Sequence, residues 1–285
     1  MDNIRGKTIA ITGAARGIGF ATACALLDRG ARVVIGDRDV GLGESAVAAL
    51  GNLRPVSGHP LDVTDPESFA TFLDKARADG GGHLDVLINN AGVMPVGPFL
   101  DLTDQAVRSA VEVNFYGVVN GCRLALPEMA RRRAGHIINI ASLAGMLAVP
   151  GQALYAGTKF AVVGLSTALA DEFAPQGVQI SCVLPTFTNT ELISGTSTSG
   201  MTTPIQPEQI AAAVVRTLNK PKSAVSVPYP LRFIAAGAAF LPPRGRRWLS
   251  DKMGTSRIFL DFDAASRAGY EQRAQSATGL LDNPQ

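Results

Sequence analysis

The chain contains few of the residues that build disulfide and metal sites. It has 3 Cys and 3 His among 285 residues. The cysteines, Cys24, Cys122 and Cys182, are far apart and lie in apolar segments, and the histidines show no metal-ligand spacing. We therefore predict buried free thiols in a reducing, cytoplasmic compartment, and no metal site.

Charge imbalance and long apolar runs are also lacking. The formal net charge is +2, from 26 Lys and Arg against 24 Asp and Glu, and the basic clusters are short, so nucleic-acid binding is not predicted. No apolar run reaches the length of about 18 residues that a bilayer-spanning helix needs. A strand-like run begins at Lys7 with no charged and apolar leader before it, so no secretion signal is expected.

The amino-terminal part of the chain has a strand, a glycine turn and a helix in succession. The β-branched run 7–12 is followed by Gly13, Gly17 and Gly19, and then by a helix-like stretch 18–29. Amides at a helix start, together with the helix dipole, favour a phosphate group. We predict that this turn binds the pyrophosphate of a dinucleotide, although the glycine spacing departs from Gly-x-Gly-x-x-Gly. The alternative is a tight loop that binds nothing.

A carboxylate follows the second predicted strand, 31–36. Asp37 lies near the interval at which an acid accepts hydrogen bonds from the adenosine ribose. A 2′-phosphate at this place would be repelled, so Asp37 favours NAD over NADP. Arg16 and Arg38 leave NADP possible, because both are long enough to reach a 2′-phosphate.

Polar or small residues follow the other predicted strands too. Asp62 and Val63 come after the third strand; the Asp62 carboxylate either accepts a hydrogen bond from the adenine amino group or only shapes a turn. Asn89 to Gly92 follow the fourth strand, and Ser142 follows the fifth. Strands that alternate with helices predict an α/β fold: a doubly wound, Rossmann-like parallel sheet of about seven strands, with helices on both faces and ligands at the carboxyl ends of the strands.

Tyr155 and Lys159 are four residues apart in a helix-like segment. On a helix they are neighbours, and the ammonium is predicted to lower the tyrosine pKa by ~2–3 units. The alternative is a solvated surface pair. Asn114 falls within a predicted helical region 103–133, where an amide is unfavourable unless it is used; by itself, an exposed or capping asparagine is the better interpretation.

These motifs resemble the short-chain dehydrogenases/reductases over residues 5 to 230, in that family's order and spacing. The resemblance implies a catalytic tetrad of Asn114, Ser142, Tyr155 and Lys159. Tyr155 would be the general acid or base, Ser142 would hold the substrate oxygen, and Lys159 would lower the tyrosine pKa and bind the nicotinamide ribose. Asn114 would anchor a water that relays the proton. The implied chemistry is hydride transfer between NAD or NADP and a carbinol or carbonyl carbon.

The resemblance and the motifs together predict a set of cofactor contacts. These contacts are Gly13, Arg16, Gly17, Ile18, Gly19, Asp37, Arg38, Asp62, Val63, Asn90, Ala91, Gly92, Tyr155, Lys159, Pro185, Thr188 and Thr190. The sequence departs from the family pattern after the sixth strand, where Thr186 replaces a glycine and Thr188 replaces an aliphatic residue. In the family this segment holds the cofactor carboxamide, and here Thr190 keeps its place in it.

We predict a single catalytic domain over 1–230 and a carboxyl-terminal extension over 231–285. The Ser/Thr/Gly-rich segment 186–204 is typical of a lid. The extension contains an apolar run, an arginine cluster and Trp248 within 231–249, and then a tail whose start is predicted to be helical. Packing, a roof over an apolar substrate site and peripheral contact with a membrane remain open for 231–249.

The functional prediction is an oxidoreductase for an apolar secondary alcohol or ketone. Two alternatives remain: a non-catalytic dinucleotide-binding sensor or scaffold, and a dehydrogenase of lipid, steroid or retinoid type at a membrane surface. The resemblance also implies a homodimer or homotetramer built on two long helices.

Overall fold

The computed structural model describes residues 3–51, 55–196 and 203–275. Within them, one sheet is formed by β1 (Thr8–Thr12), β2 (Arg32–Asp37), β3 (Val56–Pro60), β4 (Val86–Asn89), β5 (Gly135–Ile140), β6 (Val178–Pro185) and β7 (Ala224–Val227). The strand order is β3-β2-β1-β4-β5-β6-β7, and all six pairings are parallel. The predicted doubly wound α/β fold is confirmed. The order reverses at β1 and β4, where such sheets open a ligand crevice.

Helices cover both faces of the sheet. They are α1 (Gly17–Leu27), α2 (Val40–Leu50), α3 (Pro66–Gly80), α4 (Asp104–Val111), α5 (Gly117–Arg132), α6 (Ala153–Phe173), α7 (Pro207–Asn219), α8 (Leu231–Ala239), α9 (Pro243–Lys252) and α10 (Ala264–Gln275). Ile9 and Ile11 of β1 belong to the core with α1 and α7, whereas Ala10 belongs to the core with α3 and α5. Because both faces of β1 are buried, the strand is a continuous apolar run.

The predicted helical region 103–133 is not one α-helix. A π-helical turn, Glu112–Tyr116, separates α4 from α5 and contains Asn114. Such turns insert one residue into the helical ladder and occur often at functional sites. The region is helical over 104–132, as predicted, but the π-helical turn at Asn114 was not predicted.

The sequence contains no unbroken apolar run of about 18 residues, but one described helix is apolar enough on average, and long enough, to span a bilayer. Ala153–Gln176, which is α6 with the turn that follows, has a mean hydropathy of 1.3 over its most apolar window and meets that requirement by length and composition. However, α6 buries Lys159 and packs against β6, so it belongs to the helical layer of the sheet. Of that window, 33% is buried, and its exposed residues include Gly157, Phe160 and Gly164.

Several other predictions concern segments at or beyond the described residues. The start of the carboxyl-terminal tail is helical, as predicted, and forms α10, whereas residues 276–285 lie outside the described residues. The predicted lid also lies partly outside them, at 197–202. None of the three cysteines forms a disulfide; Cys122 and Cys182 are buried as predicted, but Cys24 is only half-buried.

Candidate active site

The glycine turn brings β1, α1 and the end of β4 into close contact. Gly13 and Gly17 have φ values of +62° and +57°, which side chains rarely adopt. A Cβ on Gly13 would lie 2.8 Å from the Ala91 Cα atom, and one on Gly19 would lie 2.6 Å from the Gly13 carbonyl oxygen. Helix α1 starts at Gly17 without a side-chain cap, so its first amides are free to bind an anion. The turn therefore fits a pyrophosphate.

Asp37, at the end of β2, faces the glycine turn. Its Oδ2 accepts a hydrogen bond of 3.0 Å from the Ala15 amide, and its Oδ1 accepts one of 3.2 Å from the Asp39 amide. The carboxylate lines the same cavity as Gly13 and Gly17. It therefore lies where a ribose bound beside the glycine turn would meet it.

The guanidinium groups of Arg16 and Arg38 each lie within ion-pair distance of a carboxylate. The Arg16 Nη1 atom lies 2.8 Å from Glu191 Oε2, and the Arg38 Nε atom lies 3.8 Å from Asp62 Oδ2. Asp62 also accepts hydrogen bonds of 2.9 and 2.7 Å from the amide and hydroxyl of Thr64. Asp62 thus shapes the turn after β3, one of the two roles that the sequence left open, and its other oxygen faces Arg38.

Asn90 and Thr12 join the ends of β4 and β1. The Asn90 Nδ2 atom donates to the carbonyl oxygens of Thr12 and Gly13, at 2.9 and 2.8 Å. The Thr12 hydroxyl accepts from the amides of Asn90 and Ala91, both at 3.0 Å. These four bonds hold the crevice open at the point where the strand order reverses.

The Asn114 side chain is fully buried behind the cavity. Its Oδ1 accepts a 2.8 Å hydrogen bond from the Val93 amide, and its Nδ2 donates to the Val93 carbonyl at 2.8 Å and to the Thr158 hydroxyl at 3.2 Å. The exposed or capping alternative was therefore wrong. Since the amide is used by Val93 and Thr158, its structural effect is to fix the loop after β4 against α6.

Ser142, Tyr155 and Lys159 meet at the carboxyl end of β5. Ser142 follows β5, and its Oγ accepts a 3.1 Å hydrogen bond from the Ala144 amide. Lys159 lies one helical turn after Tyr155 on α6; its Nζ donates to the Ile140 carbonyl at 3.0 Å and lies 5.6 Å from the centre of the Tyr155 ring. Both side chains are buried, so the alternative of a solvated surface pair was wrong.

Burial dominates the ionisation of this pair. It raises the pKa of Tyr155 to about 12, although a hydrogen bond with Ser142 acts to lower it. Burial also lowers the pKa of Lys159 to about 8. The predicted lowering of the tyrosine pKa was wrong for this structure, because removal of the phenolate from water raises the pKa more than the hydrogen bond with Ser142 lowers it.

Most of the predicted site residues line one cavity of about 850 Å³. It runs from the glycine turn and Asp37 to Ser142, Tyr155 and Lys159. Among the predicted residues, Gly19 and Asn114 do not line it. Gly19 packs beneath the glycine turn, and Asn114 lies behind the cavity wall. Among the described residues, no group of three or more His, Cys, Asp or Glu side chains is placed to hold a metal ion.

The segment after β6 lies beside the glycine turn. The Thr188 hydroxyl donates to the Thr186 carbonyl at 2.9 Å, and the Thr190 methyl group lies 3.3 Å from where a Cβ on Gly17 would be. Pro185, Thr188 and Thr190 all line the cavity. This arrangement brings the predicted carboxamide contacts to the cavity, with threonine at the two positions that depart from the family pattern.

The extension supplies part of the cavity wall. The ring of Phe259 stacks on that of Phe187, with centroids 5.6 Å apart and an interplanar angle of 9°. Leu231 and Ile234 of α8 line the cavity as well. The structure therefore places α8, the first part of the segment 231–249, in the wall of the cavity.

Arg267 and Tyr270 of α10 are functional positions that the sequence did not reveal. The Arg267 guanidinium donates to the carbonyl oxygens of Leu192, at 2.9 Å, Ser194, at 3.1 Å, and Met94. The Tyr270 hydroxyl accepts a 2.7 Å hydrogen bond from the Met94 amide. Neither residue lies in a motif, and the amphipathic pattern of α10 is too weak to have predicted these contacts.

The fold and the site have the features of a dinucleotide-binding α/β protein, with a glycine turn at the switch point of a parallel sheet. The short chain dehydrogenase family profile matches residues 7–199. An uncharacterized oxidoreductase of Staphylococcus saprophyticus is 36% identical over 233 residues, which are 78% of this chain and 94% of that protein. The chain belongs to the short-chain dehydrogenase family, which is a family of NAD(P)-binding oxidoreductases.

Two further relatives cover more of the chain. Human estradiol 17-beta-dehydrogenase 11 is 30% identical over 277 residues, which are 96% of this chain and 89% of that protein, so the similarity includes the extension. The crystal structure of gox2181 has a TM-score of 0.72 and 28% identity, and it covers 81% of this chain and 99% of that one.

Proposed function

We propose that this chain catalyses reversible hydride transfer between NAD and an apolar secondary alcohol or its ketone. The observation that carries the proposal is the meeting of Ser142, Tyr155 and Lys159 in a cavity that continues to the glycine turn and Asp37. A dinucleotide-binding protein without catalysis has no need of a buried phenol and ammonium at this place.

The glycine turn, Asp37 and Lys159 are the residues that would hold the cofactor. Gly13 leaves no space for a Cβ, and the free amides of α1 suit a pyrophosphate. When bound, NAD supplies the hydride acceptor and NADH the hydride donor. The Lys159 Nζ lies at the cavity wall, where it can donate to ribose hydroxyls. Asp37 favours NAD, because its charge would repel a 2′-phosphate.

Tyr155 is the proton donor or acceptor of the proposed reaction. With a pKa of about 12, its phenol is protonated at neutral pH, which is the form that donates a proton to a carbonyl oxygen during reduction. Oxidation is the reverse step: the phenol first loses its own proton, and the resulting phenolate receives the alcohol proton. Ser142 holds the substrate oxygen beside the phenol, and Asn114 fixes the loop through Val93. The relay of a proton through water near Asn114 remains a prediction.

An apolar substrate of lipid or steroid size suits the walls of the cavity. Met94, Phe187, Leu231 and Phe259 line the part beyond the tetrad. The name of the human relative, estradiol 17-beta-dehydrogenase 11, supports a bulky secondary alcohol for this chain as well. The volume of about 850 Å³ has to hold both cofactor and substrate, so the substrate is expected to extend under α8.

The test is a screen of secondary alcohols and ketones of graded chain length and ring number, followed by nicotinamide absorbance. Replacing Tyr155 with Phe is expected to lower turnover by at least about 10²-fold and leave NAD binding intact, because only the transferred proton is lost. Full activity in that variant would contradict the mechanism. If the wild-type chain is inactive with the whole panel, the sensor or scaffold alternative is favoured.

We also propose a homodimer formed through α6. Its exposed face contains Gly157 and Gly164, which have no atoms within 4 Å of an added Cβ, and Phe160, which is 46% exposed. Small residues on a helix face allow close approach of a second helix. Sedimentation of the wild type and of Phe160→Arg tests this: a monomeric wild type would contradict the proposal.

A further inference from the structure

The outer side of α8 and the residues that follow it form an exposed apolar surface. Phe233 is 59% exposed, Phe240 is 91% exposed and Trp248 of α9 is 61% exposed. No charged residue occurs between Phe233 and Leu241. Contiguous exposed apolar surface of this kind on a folded chain marks a site of interaction.

Cationic side chains border this apolar surface. The Arg232 guanidinium lies 5.3 Å from the ring centre of Tyr229 and 5.1 Å from that of Phe233. The Lys222 Nζ lies 5.6 Å from the Tyr229 ring centre. Arginine and lysine beside tyrosine and phenylalanine are typical of a surface that meets lipid headgroups and acyl chains together.

Helix α9 packs against α8 and has three exposed arginines. Arg244, Arg246 and Arg247 lie in its first half, next to Trp248. Within the described part of the chain, no carboxylate lies within ion-pair distance of these three guanidinium groups. Their charge is therefore available to an external anion.

The other side of α8 faces the substrate cavity. Leu231, Ile234 and Ala235 line that cavity, while Phe233 and Phe240 project into solvent. One short helix thus separates the candidate active site from the exposed apolar surface. It has 9 residues, too few to cross a bilayer but enough to lie in the plane of its surface.

We propose that α8 and α9 dock the protein on an anionic lipid surface. The side chains of Phe233, Phe240 and Trp248 enter the boundary between headgroups and acyl chains, and the arginines of α9 bind lipid phosphates. The cavity wall formed by α8 then lies against the lipid. An apolar substrate dissolved in that lipid would therefore be close to the cavity. The docking itself does not rest on the proposed reaction and is measured without turnover.

Charge favours a lipid surface over a second copy of the chain as the occupant. In a two-fold symmetric contact, a surface patch meets its own copy. Arg244, Arg246 and Arg247 would then approach the same three arginines, and such like-charge contacts are unfavourable. An anionic lipid surface instead has an apolar acyl-chain region that the phenylalanines can enter and negatively charged headgroups that the arginines can bind.

Flotation of the purified full chain with phosphatidylcholine vesicles, with and without 30% phosphatidylglycerol, tests the docking. The wild type is expected to bind the anionic vesicles and to leave them at high salt. Replacing both Phe233 and Phe240 with Ser is expected to weaken binding at least about tenfold, since two apolar side chains no longer leave water. Leu100→Ser is the matched control, because Leu100 is 92% exposed on a different element.

The arginines have their own charge-matched control. Replacing Arg244 and Arg247 with Gln is expected to lower binding to anionic vesicles about 25-fold, at about fivefold per arginine near such a surface. Replacing Arg5 and Arg108 with Gln removes two exposed charges elsewhere and is expected to have little effect. Equal flotation of the wild type and the double phenylalanine variant would overturn the proposal. So would concentration-dependent self-association that this variant abolishes, without vesicle binding.

Discussion

The guanidinium of Arg267 on α10 donates a hydrogen bond to the carbonyl oxygen of Met94. Met94 lies in the loop after β4, 173 residues before Arg267 in the sequence. The other Arg267 bonds reach Leu192 and Ser194, in the segment after β6. One buried side chain of the extension therefore holds two walls of the candidate active site together. A buried cation in this position is stable only while those carbonyls and Glu271 remain its partners.

The first prediction concerns the hydrogen bonds of Arg267. Replacing Arg267 with Met is expected to lower the free energy of unfolding by about 3 kcal/mol, because one buried and two partly buried carbonyl oxygens lose their hydrogen-bond donor. Arg257→Met is the matched control: Arg257 also pairs with an acid four residues later, but its side chain is 75% exposed, against 0% for Arg267. We expect the control to cost less than about 1 kcal/mol. Equal losses of the free energy of unfolding in the two variants, measured by urea denaturation, would contradict this role of Arg267.

The second prediction concerns Lys159. Replacing it with Met is expected to weaken NADH binding and also to lower turnover by about 10²-fold or more, whereas Tyr155→Phe affects mainly turnover. Since burial lowers the pKa of Lys159 to about 8, the affinity of the wild type for NADH is expected to fall as the pH rises through 8. Fluorescence titration of NADH across this pH range measures the effect. A Lys159→Met variant that keeps the same pH dependence would show that another group is responsible.

The third prediction concerns cofactor choice. At equal concentration, NAD is expected to raise the melting temperature more than NADP, because the ligand that binds more tightly stabilises the folded protein more. Asp37→Asn removes the charge but keeps an oxygen for the Ala15 amide, and is expected to improve NADP binding by about tenfold, or ~1.4 kcal/mol. Asp39→Asn is the control, since Asp39 caps α2 through the Leu42 amide. A larger shift with NADP in the wild type would contradict the role of Asp37.

The fourth prediction concerns acid stability. His136 is buried with its Nε2 2.8 Å from the Ser181 Oγ, and burial lowers its pKa from 6.5 to about 4. Between these values the unfolded chain binds the proton and the folded chain does not, so stability is lost as the pH falls below 6.5. His136 is expected to account for about 2 kcal/mol of the loss between pH 7 and 5.

Comparing the wild type with His136→Asn measures that contribution in denaturant titrations at both pH values. The variant is expected to lose about 2 kcal/mol less than the wild type on acidification. His83→Gln serves as the control, because the His83 side chain is 46% exposed whereas His136 is buried. Parallel pH profiles for the wild type and His136→Asn would show that the acid sensitivity arises elsewhere.

The sequence predicts the sheet and the groups at its edge well, because these signals are local. Gly13, Asp37 and Ser142 each follow a recognisable strand, and parallel strands necessarily bring their carboxyl ends to one edge. The family resemblance then assigns a role to Tyr155 and Lys159. Their spacing on α6 follows from helix geometry alone.

Properties that depend on burial were not predictable in the same way. The expected lowering of the Tyr155 pKa was wrong, since the sequence reveals an ammonium nearby but not the removal of water from both groups. Asn114 was likewise expected to be exposed or to cap a helix, whereas its buried amide binds Val93 from a π-helical turn. Such a turn is stabilised by contacts across the fold and has no periodic signature.

By itself, the sequence determined the parallel α/β sheet, the glycine turn and the edge at which the candidate site forms, because strand and helix periods and turn residues act over a few neighbours. Only the tertiary structure decided that the extension returns to this edge, where Phe259 covers the cavity and Arg267 joins its walls. Those contacts join residues far apart in the chain. They depend on the shape and charge of surfaces that exist only after the sheet has folded.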